Sequence, residues 1–295
     1  MMKAEELGNA CDDFPTSCCI HIVGYGVAGR AVTEHLKATS NLADIRVFGL
    51  TPGENQWDNH ILESDMLFLV VDPAVGDDIQ QALALAIRAK KEGALTFAIC
   101  YSQKPITPEV DGPWRDLDIL KDSVDALFVV VAEQSALQGA ANTKERIAAL
   151  MNVNCQTIVH SIGNLFAQRG MVAIDFADIR TIFQNSGYAV IGVGFGWGEA
   201  GGTNAATSAI GSLIRRGIDV TKARGALVTI SAHPQYFPLD LFSDVMDVCD
   251  STLAVDWNLA AGTYLDCARL DDKVSVYLLV TGVDKEHAVL PIPSA

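Results

Sequence analysis

The residues of this chain best able to do chemistry are Gly24-Tyr25-Gly26-Val27-Ala28-Gly29-Arg30. Glycines in a G-x-G-x-x-G spacing, set between an apolar strand and an amphipathic helix, let the backbone approach an anion and aim unpaired helix-terminal amides at it. Phosphate is the ligand such a turn serves. A dinucleotide enzyme built on it would carry an acidic residue about 20 positions on, at the end of the second strand, to hold a ribose. Here that strand ends in Phe48-Gly49-Leu50-Thr51, and Glu54 follows only after Pro52 and Gly53. An NAD-binding Rossmann enzyme is therefore the less favoured reading, and a purely structural glycine turn is a third.

Other chemistries lack their residues. The cysteines (Cys11, Cys18, Cys19, Cys100, Cys155, Cys249 and Cys267) show no C-x-x-C spacing, and the six histidines are scattered, with His233 ahead of Pro234 in a turn. No Ser/His/Asp set, Cys/His pair or metal cluster emerges, and no metal site is expected. Adjacent Cys18 and Cys19, at a strand start, read as small core residues.

The elements that must hold the glycine turn follow from periodicity. Residues 1–17 are polar and aperiodic, a loose flexible arm. Ile20, Ile22 and Val23 form a strand into the turn, and Ala31, Val32, His35 and Leu36 follow at helical spacing. Further strands are expected at 45–50, 66–71, 95–100 and 126–131. A crossover helix over 77–92, with Ile79, Leu83, Ala86 and Ile87 on one face, is closed by Gly93. Strands alternating with helices imply a parallel sheet covered on both faces. A long helix over 142–168, with Ile147, Leu150, Met151, Ile158, Ile162, Leu165 and Phe166 recurring every three or four residues, would span about 40 Å and serve as a spine between domains. Gly170 ends it, and Asp175 to Asp178 opens a short helix whose acidic start suits the helix dipole. Strands at 188–195, 226–231, 253–257, 263–268 and 274–281, with helices at 204–216 and 239–249, complete a mixed sheet. The expected architecture is α/β. Residues 1–17 are the arm, 18–141 a Rossmann-like parallel-sheet domain, 142–169 the central helix and 170–295 a smaller α+β domain.

Composition narrows the partners. Hydrophobic residues at 49% and charged residues at 19% fit a packed α/β protein and not a disordered one. A net charge of −15 without any basic run argues against nucleic acid or an anionic membrane surface. The longest apolar runs fall far below the ~18 residues of a membrane span, so no membrane insertion is expected. The odd cysteine set and the lack of a basic-then-apolar leader suit a reducing cytoplasm.

The order of these pieces resembles FtsZ and, more distantly, tubulin. Gly170-Met171-Val172-Ala173-Ile174-Asp175-Phe176-Ala177-Asp178 is similar to the FtsZ synergy loop, of pattern G-x-x-N-x-D-F-A-D, at the foot of the central helix. Residues 185–194, followed by Gly198-Glu199, resemble the strand that opens the family's second domain, and residues 223–230 a later one. The likeness is best over residues 125 to 283 and weaker but in register from 19 to 100. In the family, two acidic side chains of that loop enter the next subunit's nucleotide pocket and orient the water that attacks the γ-phosphate. The matching residues are Asp175 and Asp178, and carboxylates suit the task. The family's Asn is Ala173 here, which cannot hydrogen-bond water. The simpler alternative is that both aspartates only cap a helix.

The resemblance places Gly24, Tyr25, Gly26, Gly29 and Arg30 at the family's first phosphate loop, yet most of the pocket departs from the pattern. Only residues 51–64 are available for the γ-phosphate-sensing segment, and nothing in them matches. Where the family has a G-G-G-T-G-T-G cradle, this chain has Asp72-Pro73-Ala74-Val75-Gly76-Asp77-Asp78, of which only Gly76 keeps the glycine character. Proline removes an amide donor, and each carboxylate near a polyphosphate costs about 4 kcal/mol before screening. Magnesium bridging these aspartates to phosphate would offset only part of that. Residues 132–137, Ala-Glu-Gln-Ser-Ala-Leu, replace the family's P-N-D-[KR]-L turn. The guanine-reading aspartate aligns with Val153, leaving Asn152 or Asn154 to contact a base or simply to face solvent.

The resemblance thus implies a cytoskeletal pseudo-GTPase that self-assembles head to tail, a geometry that extends into filaments unless it closes into a ring. No cofactor is expected, with GTP or GDP the nucleotide if one binds. The alternative is an FtsZ-like GTPase with an atypical pocket. Residues 284–295 are too short for the family's linker and membrane-recruiting peptide. That shifts the expectation from a main division ring to membrane remodelling, or to partnership with another FtsZ-like or membrane-associated protein.

Overall fold

A buried parallel strand reads as a continuous apolar run, because both its faces are covered. Three such runs form the heart of the first unit. The computed structural model describes residues 18–39, 45–50, 63–73, 75–102, 111–131, 143–168, 170–238, 240–253 and 258–291. The expected N-terminal arm, most of the 51–64 segment, the 132–137 turn and the 254–257 part of an expected strand lie outside these residues.

Two compact units are present. The first comprises Cys18–His160, Gln184–Ala189 and Asp284–Ala295. It contains β1 (Ile20–Tyr25), α1 (Gly26–Thr39), β2 (Ile45–Leu50), β3 (Met66–Val71), α2 (Gly76–Lys91), β4 (Leu95–Ser102), α3 (Asp111–Ser123) and β5 (Ala126–Val131). These strands pair in parallel in the order β2-β1-β3-β4-β5. Every residue of β1 and β3 is buried, and Phe68 stacks on Phe97 at 4.6 Å across β3 and β4. On the far side of β5, residues 126–128 pair with 187–189, and residues 129–131 pair with a short strand, Val289–Pro291, that the sequence did not signal.

The order reverses at β1, which has β2 on one side and β3 on the other. Open α/β sheets bind ligands at such a switch point, beyond the carboxyl ends of the strands. Those ends here are the glycine turn after β1 and residues 72–78 after β3.

The helix α4 (Thr143–Ala167) runs for 25 residues, close to the expected 142–168. Its residues up to His160 count with the first unit and those from Ser161 with the second. The second unit also holds α5 (Phe176–Phe183), most of β6 (Gly187–Gly196), α6 (Gly201–Ile214), β7 (Gly225–Ala232), α7 (Asp240–Thr252), β8 (Asn258–Leu265) and β9 (Val274–Thr281). Its strand order is β6-β9-β7-β8, with β7 antiparallel to β9 and parallel to β8, so the sheet is mixed as expected.

Two further elements depart from the sequence reading. The strand expected at 263–268 is β8, which starts at Asn258 and gives way to a turn after Leu265. Its first half is Asn-Leu-Ala-Ala-Gly, and a Cβ on Gly262 would press on Leu165 and Ile174. The helix α3 was not anticipated, since its buried Leu117 and Leu120 stand among charged residues. No helix among the described residues is long and apolar enough to cross a membrane.

Candidate functional site

Each glycine of the first turn has a separate reason to be there. An added Cβ on Gly24 would overlap the carbonyl of Gly29, and one on Gly29 would come within 2.5 Å of the Val70 carbonyl. Those two glycines let β1, α1 and β3 pack backbone to backbone. Gly26 has φ +64°, a left-handed conformation that disfavours side chains, and its Cβ position is already filled by the Asp78 carboxyl group. Tyr25 is buried, while Val27 is 78% exposed. The stem of Arg30 lies over Gly49 of β2, where an added Cβ would be 3.1 Å from Arg30 Cγ, and Arg30 Nε is buried without a partner.

Two amides of the bend after β3 turn back on it. Val75 N–H donates to the Asp72 carbonyl at 3.1 Å, and Asp78 N–H donates to the Val75 carbonyl at 3.1 Å. Ile79 N–H also turns back to Val75, at 3.4 Å. Pro73 has no N–H to give. Gly76, with nothing within 4 Å of its Cβ direction, begins α2, and Asp77 and Asp78 form that helix's acidic first turn. Asp77 is exposed, but Asp78 is only 2% exposed, and its Oδ1 has no hydrogen-bond partner. Burial, reinforced by Asp72 and Asp77, pushes the Asp78 carboxyl above the usual carboxylate range.

The fold therefore sets the turn of Gly24, Tyr25, Gly26 and Gly29, through Gly26, against Asp78 at the start of α2. Asn152 stands on a different element, α4. It is half-buried with an Oδ1 lacking a partner, and neighbouring Val153 is 53% exposed.

In the second unit, the segment resembling a synergy loop is fastened from β8. Thr263 Oγ1 accepts from Met171 N–H at 2.7 Å and Val172 N–H at 2.9 Å, and Thr263 N–H donates to the Val172 carbonyl at 3.0 Å. Gly170 is required there because a Cβ would overlap the Thr263 carbonyl. Asp175 caps α5, accepting from Asp178 N–H at 2.8 Å. Capping leaves both side chains outward, since Ala173, Asp175 and Asp178 are all exposed. Ile174 and Phe176 anchor the loop inward, Ile174 against Gly262 and Phe176 against Phe166 at 6.4 Å. Sequence reasoning missed Thr263. Nothing marks a threonine inside a strand as a fastener until the loop that it holds is known.

Parallel strands in the order β2-β1-β3-β4-β5, a glycine turn at their switch point, a helix of 25 residues and the mixed strands β6-β9-β7-β8 of the second unit define the FtsZ/tubulin class of fold. The FtsZ dimer of M. jannaschii superposes with a TM-score of 0.74 at 21% identity, covering 95% of this chain and 93% of that one. Residues 187–284 match the model of the FtsZ family, C-terminal domain. The cell division protein FtsZ of Buchnera aphidicola (subsp. Schizaphis graminum) is 31% identical over 271 residues, 88% of this chain and 67% of the relative. The chain belongs to the FtsZ family. The mitochondrial division protein fszA of Dictyostelium discoideum is 28% identical over 233 residues, 77% of this chain, which there spans 44% of the relative's length.

Proposed function

We propose that this protein is a self-assembling FtsZ-family cytoskeletal protein whose subunits dock head to tail and in which GTP binding and hydrolysis are weakened or lost. The observation that carries the second half is the bend at 72–78, where Val75 and Asp78 amides are committed to carbonyls of the same bend and Pro73 has none. A triphosphate cradle needs several free amides aimed outward. Carboxylates at Asp72, Asp77 and Asp78 add repulsion.

The assembly half is supported by the loop at 170–178. Its backbone is held by Thr263 and its two carboxylates are exposed, which is the geometry of a contact element. The family resemblance gives Asp175 and Asp178 a place at the next subunit's pocket face. With Ala173 in place of the family's Asn, they serve docking and not water activation. The partners are other copies of this chain, and the process is membrane remodelling or support of another FtsZ-like filament in the cytoplasm.

A second reading, a GTP- or GDP-binding FtsZ-like GTPase with an atypical pocket, is favoured by the glycine turn standing at the sheet's switch point. Titration with a fluorescent GTP analogue, alongside a phosphate-release assay, separates the two. The pseudo-GTPase reading predicts no saturable binding in the micromolar range and no steady phosphate release. Micromolar binding with turnover would establish the GTPase instead.

A further inference from the structure

The glycine turn and the first turn of α2 meet at one point. An ideal Cβ on Gly26 would fall on Asp78 Oδ2, with the Asp78 carboxyl carbon at 2.8 Å and Oδ1 at 3.0 Å. A side chain that is 98% buried, the complement of its 2% exposure, thus lies against the N-terminus of α1, a helix of 14 residues. That terminus leaves unpaired amides and a partial positive charge, the place where a phosphate oxygen would sit. Asp78 Oδ1 finds no donor there. A buried carboxyl oxygen without a partner is costly, about 1–3 kcal/mol or more, so its persistence needs a reason beyond packing. On the rest of the bend, Gly76 is open and Asp77 is exposed, so the acidic first turn of α2 required only one of its two carboxyls to turn inward.

We infer that Asp78 is a resident stopper, its carboxyl group occupying the seat that a phosphate would take on the first turn of α1 and thereby excluding phosphate from the glycine turn. This deepens the proposed function and rests on its reading of the site as a former phosphate seat. Gly26 is then retained for the stopper, since any side chain there would strain the left-handed backbone and displace the carboxyl group. The exclusion is steric first. An amide of the same shape would fill the seat equally, whereas a methyl group would vacate it. Burial and the neighbouring Asp72 and Asp77, which push this carboxyl above the usual carboxylate range, agree with a group held in an acidic recess.

The test compares full-length wild type with Asp78→Ala, Asp78→Asn and Asp77→Ala, using inorganic pyrophosphate and a fluorescent GTP analogue as probes. Asp78→Ala is expected to bind pyrophosphate at least about tenfold more tightly than wild type. Asp77→Ala, which removes a carboxylate from an exposed residue, and the shape-preserving Asp78→Asn should each gain much less than Asp78→Ala, since neither vacates the seat. No gain in Asp78→Ala over Asp77→Ala would overturn the stopper while leaving the pseudo-GTPase reading intact. Micromolar GTP binding by wild type would overturn both. A measurement on wild type alone guards against a variant that fails to fold. Amide resonances of Val27 and Ala28 should not respond to millimolar pyrophosphate, and a saturating shift in them would show the seat open and refute the inference.

Discussion

Asp175 does two jobs with one side chain. Its Oδ1 caps α5 through Asp178 N–H, while the residue stays exposed at the tip of a fastened loop. Loss of an N-cap costs about 1 kcal/mol, so Asp175→Ala should lower stability by that amount in urea unfolding. Asp178→Ala should change stability little. If both carboxylates lie at a subunit contact, the double variant should raise the protein concentration needed for pelleting well beyond what the stability loss explains. A second residue sets a pH dependence. Burial, reinforced by His35, pushes the His160 imidazole down from 6.5 to about 4. The native state therefore favours neutral His160, and its contribution is full above the unfolded value and lost as pH falls from about 6.5 toward 4. The loss is on the order of 3 kcal/mol. Unfolding curves of His160→Gln across that window should be flatter than those of wild type, and parallel slopes would show that another group controls the acid transition.

Among the elements, the junction of β4, β5 and the start of β6 is held by one carboxylate. Asp125 pairs with Lys90 at 2.9 Å and accepts from Thr96 N–H at 2.8 Å, from Thr96 Oγ1 at 2.9 Å and from Asn185 N–H at 3.2 Å. Asp125→Ala leaves the buried Thr96 amide without its acceptor, while Lys90 keeps its bond to Asn185 Oδ1 at 2.7 Å, and is expected to cost about 1–3 kcal/mol. In the second unit, Thr263→Val removes the acceptor for both Met171 and Val172 amides. About 1–3 kcal/mol should be lost, with faster amide exchange confined to residues 170–173 and the rest of the sheet unchanged. The strands β3, β5 and β9 were readable to the residue, because Met-Leu-Phe-Leu-Val-Val, Ala-Leu-Phe-Val-Val-Val and Val-Ser-Val-Tyr-Leu-Leu-Val-Thr are unbroken enough to exclude other readings. The start of β8 was not, since Ala260, Ala261 and Gly262 carry little strand signal, and Gly262 answers to Leu165 and Ile174, which are distant in sequence.

At the scale of the molecule, the order of elements carried the fold, and the chemistry of the site was only half visible. The glycine turn and the proline-bearing bend stand plainly in the sequence. That Asp78 would be buried does not, because an aspartate beside Asp77 at a helix start reads as solvated until topology sets β3 beside β1 and drops that helix onto Gly26. The proposed function, drawn from a fastened, outward-facing acidic loop and a bend whose Val75 and Asp78 amides turn back on it, is association with copies of itself independently of nucleotide. Head-to-tail contacts of that kind give open filaments or closed rings. Sedimentation combined with electron microscopy of the full chain, over rising protein concentration and with or without GTP and magnesium, tests this most directly. Filaments or defined oligomers that form to the same extent in both conditions are the predicted result. A monomer at every concentration, or assembly only when GTP is added, would contradict it.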